Sequence, residues 1–372
     1  MPDRMGTTNP SAPAAPLAPP DHQRVADTVR TKLPFHARFA TLTPLAGDAS
    51  NRRYFRIHLD GEPNNRTASV ILMQLAEPEA FKASEEAVSG TVQIAELPFT
   101  NILAHLSAFR LPVPTLHYYD REAGLLYLED FGDLTLLEAC AKADASRIAS
   151  LYKQAIDSLV VIQGKATAPA NPACVAFHRK FDVPLLMWEF DHFLEYGVNA
   201  RRPAPMKAED AVLVQNEFRK IAELMAAQPH VFVHRDYHSR NLMVDGNRIG
   251  IIDFQDALMG PAAYDLASLL RDAYLALDES LVDELIAYYL DGLARHGLRM
   301  EPTAYRRVFD LTSIQRNLKA AGRFVYIDRV KHNPKFLADI PRVLGYVRRN
   351  LEKYPELAPL RQHLAPYVPE LQ

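Results

Sequence analysis

The stretch His234–Asp256 reads HRDYHSRNLMVDGNRIGIIDFQD, and its spacing decides the reading of the whole chain. Asp236 and Asn241 stand five residues apart on what must be a tight loop. Upstream, Val231-Phe232-Val233 has the apolar, β-branched character of a buried strand leading into that loop. Downstream, Leu242–Val244 is a short apolar run, Asp245-Gly246-Asn247 a strong turn signal, and Arg248–Ile252 a second apolar run that delivers Asp253. Two short strands joined by such a turn fold back on each other. The hairpin therefore predicts that Asp253 lies beside Asn241.

Three oxygen-bearing side chains gathered this way suit phosphoryl transfer from ATP. That reaction asks for positioning, for charge neutralisation by Mg²⁺ and for an acceptor of the proton of the attacking hydroxyl. Magnesium takes oxygen ligands, usually one or two from carboxylates and the rest from phosphates and water. Any one Asp or Asn in a loop is commonly just a turn former. Their order, spacing and intervening hairpin together are what single this segment out.

The segment resembles the catalytic core of aminoglycoside phosphotransferase-like kinases, relatives of the protein-kinase fold, whose loop reads H-x-D-x-x-x-x-N and whose metal motif begins with Asp. The resemblance implies that Asp236 is the catalytic base, Asn241 a magnesium ligand and Asp253 the principal magnesium ligand. Gln255 stands where protein kinases carry Gly. His234 is expected to pack and hydrogen-bond as scaffold. His238 and Arg240 flank the base. Either is placed to meet a phosphate or the acceptor, Arg240 by preference since guanidinium suits phosphate oxygens, and both also read as solvated loop residues. Further on, Asp265 in GPAAYDLA (260–267) is expected to open a helix and brace the loop from below.

Upstream, Ala46–Ile57 (AGDASNRRYFRI) joins two candidate strands with small residues that let backbone N–H groups approach phosphates. Gly47, Asp48, Ser50, Asn51 and Arg53 are the candidate nucleotide contacts. The following strand, Ser69–Leu75, carries no lysine, and Met73 or Gln74 occupies the position where kinases usually place one. Either an arginine of the 52–56 run supplies that charge or nucleotide binding is unusual. Lys82 is the nearest lysine and fits poorly. Leu125–Asp133 (LLYLEDFGD) reads as the hinge whose backbone pairs with adenine, with Glu129 and Phe131 as candidates, or as a surface hairpin end.

Within the superfamily, GDASNRRYFRI resembles the bacterial cell-wall sugar kinases that phosphorylate N-acetylmuramate and N-acetylglucosamine at the anomeric hydroxyl. Residues 111–133, 185–198 and 252–274 agree, so the resemblance covers about residues 40–330. It implies ATP and Mg²⁺ as cofactors, a small amino-sugar acceptor and a place in peptidoglycan recycling. The alternatives are the same fold acting on another small alcohol (an aminoglycoside, choline or homoserine), or a catalytically inactive kinase fold that binds nucleotide. For the sugar, Trp188, Glu189 and His192 on one segment are candidate contacts, with His238. Spacing puts Trp188 and His192 on one helix face, although Trp188 with Leu185 and Phe193 also reads as core.

The chain's 372 residues are 48% hydrophobic and 23% charged, as in globular proteins generally. A net charge of −3 indicates no general attraction to nucleic acid or anionic membrane. No apolar run is long enough to span a bilayer. The two cysteines, Cys140 and Cys174, match no disulfide or zinc spacing, which suits a reducing cytoplasm. Residues 1–21 are Pro- and Ala-rich and are expected to be disordered. The fold expected is α+β, two-lobed and kinase-like, with a β-rich nucleotide lobe over 22–130, a helical lobe over 131–372, ATP between them, and a monomeric state. Ala208–Gln228 carries Val214, Phe218, Ile221 and Met225 at helical spacing. Arg316, Lys319 and Arg323 share a face in a later basic run, either a solvated surface or a guide for an anionic acceptor such as N-acetylmuramate. The last twenty or so residues hold several prolines and are expected to end the packed domain.

Overall fold

The computed structural model describes residues 18–35, 37–45, 52–61, 69–76, 96–246 and 248–372. The chain divides into two compact units. The described residues of the first are 18–76 together with Thr115–Asp130, and those of the second are 96–114 and Phe131–Gln372. The chain thus leaves the first unit and returns to it, so that residues 96–114 fall outside the continuous 22–130 lobe expected from the sequence.

The first unit is a five-stranded antiparallel sheet under one helix. Helix α1 (His22–Thr31) is capped by Asp21, whose carboxylate accepts the Arg24 N–H at 2.9 Å. The strands are β1 (Ala37–Pro44), β2 (Arg53–Gly61), β3 (Ser69–Gln74), β4 (Leu116–Asp120) and β5 (Leu125–Glu129), in the order β1-β2-β3-β5-β4. Alternate residues of three strands, Phe55 and Ile57, Val70 and Leu72, Leu125 and Tyr127, point to one face. There they meet Val25, Val29 and Leu33, the apolar side of α1 and the turn after it. Each such side chain removed from water contributes about 1.5–3 kcal/mol, which is what holds the helix on the sheet. Arg24 clamps the helix to the end of β4 through Asp120, at 2.6 and 2.8 Å. Residues 18–21, assigned above to a disordered tail, engage this unit: Pro20 is buried and the Ala18 carbonyl accepts from Gln74 Nε2 at 3.0 Å.

The second unit is mostly helical. Helices α2 (Pro98–Ala108), α3 (Leu136–Cys140), α4 (Ala145–Gly164), α5 (Val183–His192) and α6 (Ala208–Ala226) precede the strands β6 (His230–Val233), β7 (Leu242–Asp245), β8 (Arg248–Ile251) and β9 (Leu258–Pro261). Helices α7 (Ala263–Leu270), α8 (Glu279–Arg295), α9 (Pro302–Lys331), α10 (Ile340–Lys353) and α11 (Ala358–Leu364) follow. The expected hairpin is β7 and β8, paired from Leu242↔Ile251 to Asp245↔Arg248, with Gly246 at φ +59° in the turn, a value that favours glycine. Strand β6 pairs instead with β9. Of the segment 260–267, expected to open a helix, Gly260 and Pro261 instead end the strand β9, and the helix begins at Ala263.

The α6 stripe is as spaced, with Val214, Phe218, Ile221 and Met225 all buried. Helix α9 is different in kind. At 30 residues it is about 45 Å long, and it buries residues on all sides, Asp310, Thr312, Ser313, Gln315 and Asn317 among them. It is therefore the central pillar of the unit rather than a surface helix with one apolar stripe. The chain remains packed to its end, with Leu364, Val368 and Leu371 fully buried. Cys140 and Cys174 are buried free thiols. Among the described residues no helix is long and apolar enough to cross a membrane.

Candidate functional site

The loop His234–Asn241 connects β6 to β7, and its backbone is held by carboxylates from below. Asp265, in the first turn of α7, accepts the N–H groups of His234 at 2.7 Å and Arg235 at 2.9 Å, which is the brace expected of it. Asp272 accepts the Ser239 N–H at 2.8 Å. Burial pushes the Asp265 carboxyl up to about 7, against the pull of those two N–H groups. His234 donates from Nε2 to the Ile252 carbonyl at 3.0 Å, so its Nδ1 accepts the Asp236 N–H at 3.3 Å. The ring stays neutral, since burial lowers its pKa to about 4. His234 is the scaffold residue anticipated, joining the loop to the strand that delivers Asp253. Both Arg235 (φ +80°) and Asp253 (φ +65°) adopt left-handed backbone without being glycine. Such positions cost of order 1–3 kcal/mol each and concentrate at functional sites.

The three central residues converge. Asn241 Nδ2 donates to the Asp236 carbonyl at 3.0 Å and to Asp253 Oδ2 at 3.3 Å. The Ile252 N–H donates to the Asn241 carbonyl at 3.1 Å, tying the end of the loop to the hairpin's return. On the other side Gln255 Nε2 donates to Asp253 Oδ1 at 2.8 Å. The carboxylate of Asp253 is thus held between two amides, and Gln255, at the glycine position of protein kinases, is one of them. An Asn carbonyl oxygen and a carboxylate side by side are a hard, all-oxygen donor pair. They suit a divalent cation that draws its remaining ligands from phosphate and water. Around them Gln255 Oε1 and His238 Nδ1 are buried without a hydrogen-bond partner, so the vicinity retains polar capacity for a ligand shell.

The cations beside Asp236 arrive from α9. Arg316 Nη2 lies 3.7 Å from Asp236 Oδ1. Lys319 Nζ lies 2.9 Å from Glu189 Oε1. Burial would raise the Asp236 carboxyl, yet Lys319 and then Arg316 hold it well below the usual carboxylate range. Its side chain is 40% exposed and so is accessible to an incoming group. Neither cation was among the catalytic candidates read from the sequence. The only signal was their shared spacing on a basic run.

The other candidates have definite places. Glu189 is fully buried, accepting from Arg235 at 3.0 Å and from Gln315 Nε2 at 2.6 Å as well as pairing with Lys319. It belongs to the framework under Asp236, not to a solvent-facing acceptor surface. Trp188 and His192 do share a face, with stacked rings 5.6 Å apart, and both are half-buried. Arg240 lays its guanidinium on the Tyr274 ring at 3.7 Å, and the His238 ring sits edge-on to the same tyrosine at 5.5 Å. Phe131 is buried under the Arg248 guanidinium, 4.9 Å away.

In the first unit, the Glu129 carboxylate accepts from the Thr115 N–H and hydroxyl, at 3.0 and 2.9 Å. Arg53 begins β2 with its guanidinium 5.1 Å from the Phe55 ring. Arg56 is paired to Asp130 at 2.6 and 3.1 Å, with Ser69 on the same carboxylate. Gln74, one of the two residues read at the lysine position of β3, donates its amide N–H to the Ala18 carbonyl. Gly47, Asp48, Ser50, Asn51 and Lys82 lie outside the described residues.

The family model described as "Phosphotransferase enzyme family" matches residues 41–300. The N-acetylmuramate/N-acetylglucosamine kinase of Pseudomonas aeruginosa is 30% identical over 332 residues, covering 88% of both chains. The enzyme of the same name from Neisseria meningitidis serogroup B is 32% identical over 324 residues, covering 86% of this chain and 88% of its own. Among solved structures, a choline/ethanolamine kinase family protein from Mesorhizobium loti aligns with a TM-score of 0.56 at 17% identity, over 92% of this chain and 97% of its own. The choline kinase of Cryptosporidium parvum aligns with a TM-score of 0.58 at 11% identity, over 92% and 99%. At those identities the two structures speak for the fold alone. A family model spanning most of the sequence, and relatives matched nearly end to end, place this chain in the phosphotransferase enzyme family.

Proposed function

We propose that the protein is an ATP-dependent kinase that transfers the γ-phosphoryl group to the anomeric hydroxyl of N-acetylmuramate and N-acetylglucosamine, acting as a cytoplasmic monomer in peptidoglycan recycling. The observation that carries the reading is that the Asn241 side chain bonds both the backbone carbonyl of Asp236 and the carboxylate of Asp253 across one hairpin, in a chain whose curated relatives bear the name of that sugar kinase.

Asp253 and the carbonyl oxygen of Asn241 would hold Mg²⁺, which, when bound, neutralises phosphate charge and orients the transferred group. Asp236 orients the sugar hydroxyl. The hydroxyl oxygen forms the new bond to the γ-phosphorus, the bond from that phosphorus to the bridging oxygen of ADP breaks, and the hydroxyl proton passes to the Asp236 carboxylate. A carboxylate held below its ordinary pKa by Lys319 and Arg316 is a weak base. That suits an acceptor more acidic than an ordinary alcohol, as an anomeric hydroxyl is, and a proton transfer late in the reaction.

The test is turnover of radiolabelled ATP with a panel of acceptors: the two sugars, choline, an aminoglycoside and homoserine. Phosphorylation of one or both sugars at C1, and of no other acceptor at a comparable kcat/KM, is the expected result. Two inert sugars would sink the reading, and turnover of none of the five would return the chain to an inactive nucleotide-binding fold.

A further inference from the structure

Helix α9 carries Arg316, Lys319, Arg323 and Tyr326 along one face, at steps of three, four and three. The first two lie close to the catalytic loop, at Asp236 and Glu189. Arg323 lies one turn beyond Lys319 and about 10 Å along the axis from Arg316. Its guanidinium stands 4.7 Å from the centre of the Tyr326 ring.

Helix α5 advances beside it in the same sense. Glu189 meets Lys319, and three residues on His192 meets Tyr326, their rings 5.4 Å apart. A π-helical turn over Phe193–Val198 then carries Tyr196 onto both, 4.8 Å from His192 and 5.1 Å from Tyr326. Wide turns of this kind are rare and recur at functional sites. The helices come this close because residue 322 is glycine: a Cβ there would stand 2.8 Å from the Phe193 Cα. With Trp188 stacked on His192, four rings and the Arg323 guanidinium form a patch on the same α5–α9 pair that brings Glu189 to Lys319. Other aromatic contacts of these helices are sealed, Phe190, Phe193 and Phe218 being fully buried, whereas Trp188, His192, Tyr196 and Tyr326 all stay partly open.

Open ring faces pack against the C–H faces of a pyranose, and a guanidinium fork matches a carboxylate. We propose that Arg323, set among Trp188, His192, Tyr196 and Tyr326, is the specificity residue that takes the carboxylate of an acidic amino-sugar acceptor whose anomeric hydroxyl lies at Asp236. The inference rests on the sugar-kinase reading above and adds to it the residue that separates the two sugars. N-acetylmuramate carries a lactic acid ether on the ring, and N-acetylglucosamine does not.

The experiment is steady-state kinetics of the full chain on both sugars, for wild type, Arg323→Gln and Arg323→Lys. The quantity read is the ratio of kcat/KM for N-acetylmuramate to kcat/KM for N-acetylglucosamine. Loss of one charge-assisted contact should lower that ratio about tenfold or more in Arg323→Gln, chiefly through KM of the acidic sugar. Arg323→Lys keeps the charge but not the fork, so its ratio should fall between the other two. Should the glutamine variant fail to fold, a several-fold fall in the lysine variant decides the same question. A ratio that does not move, or a parallel loss on both sugars, overturns the role of Arg323 and leaves the sugar-kinase reading standing. A wild type inert on both sugars overturns both.

Discussion

Asn241 Nδ2 lies 3.3 Å from Asp253 Oδ2, closing a twelve-residue excursion through the β7–β8 hairpin. Loop and hairpin are fastened to each other at the two residues that would share a cation. The other side of the Asp253 carboxylate is fastened by Gln255. Asp253→Ala should therefore weaken magnesium-dependent ATP binding by tenfold or more, seen as loss of the thermal shift that Mg-ATP gives the wild type. Binding equal to wild type in that variant would remove Asp253 from the metal site.

Asp236 makes a different contribution. If its carboxylate meets the acceptor and not the nucleotide, as proposed, Asp236→Ala should lower kcat by at least about 10²-fold while largely sparing ATP binding. Titration of ATP into the variant, followed by turnover on the accepted sugar, separates the two effects. A loss of binding as large as the loss of turnover would contradict the assignment.

The cations on α9 should set the pH range of the proposed base. With Lys319 and Arg316 present the Asp236 carboxyl titrates well below the ordinary carboxylate range, so kcat/KM should show no acid limb from it near pH 4–5. Removing one positive charge in Arg316→Gln should bring the limb up toward that range. A pH profile identical to wild type in the variant would show that the helix does not tune the base.

Glu189 tests the framework assignment. Glu189→Ala strips the fully buried partner from Arg235, itself 2% exposed, and from Lys319. Breaking a buried ion pair by removing one partner typically costs about 3–5 kcal/mol, so the urea midpoint should fall markedly. A variant of near wild-type stability with a selective rise in sugar KM would instead mark Glu189 as an acceptor contact.

His234 gives the folded state a pH dependence of known sign. Its folded pKa, about 4, lies below the ordinary value near 6.5 because the buried ring resists charging. Between those values the unfolded chain binds the proton and the folded chain does not, so this residue lowers stability as pH falls from about 6.5 to 4. The full effect is about 3 kcal/mol. Asp265, held up to about 7 by burial, works in the opposite direction over the same range, favouring the folded state as pH falls from 7 toward 4. Replacing His234 with Gln should therefore expose the Asp265 trend, with the thermal midpoint rising relative to wild type as the pH is taken from 6.5 to 4.5. Parallel pH curves for the two proteins would exclude His234 as a contributor.

What the sequence by itself determined is local. A strand's period of two, a glycine turn and the distance from Asp236 to Asn241 are short-range properties. They were sufficient to bring Asn241 and Asp253 together, and Trp188 and His192 onto one face. The α6 stripe was legible for the same reason.

Tertiary structure decided what depends on partners distant in the chain. Spacing marks Glu189 as neighbour to Trp188 and His192, but only the packing of α5 on α9 buries it between Arg235 and Lys319. The β6 strand was legible; its pairing with β9 in place of the adjacent hairpin was not, since both partners are equally apolar runs. Arg316 and Lys319 read only as a basic helix face, solvated or guiding an anionic acceptor, because amphipathic periodicity fails in a pillar buried all round. The cations that govern Asp236 come from about eighty residues further along, and no local pattern reports what a folded chain places across that distance.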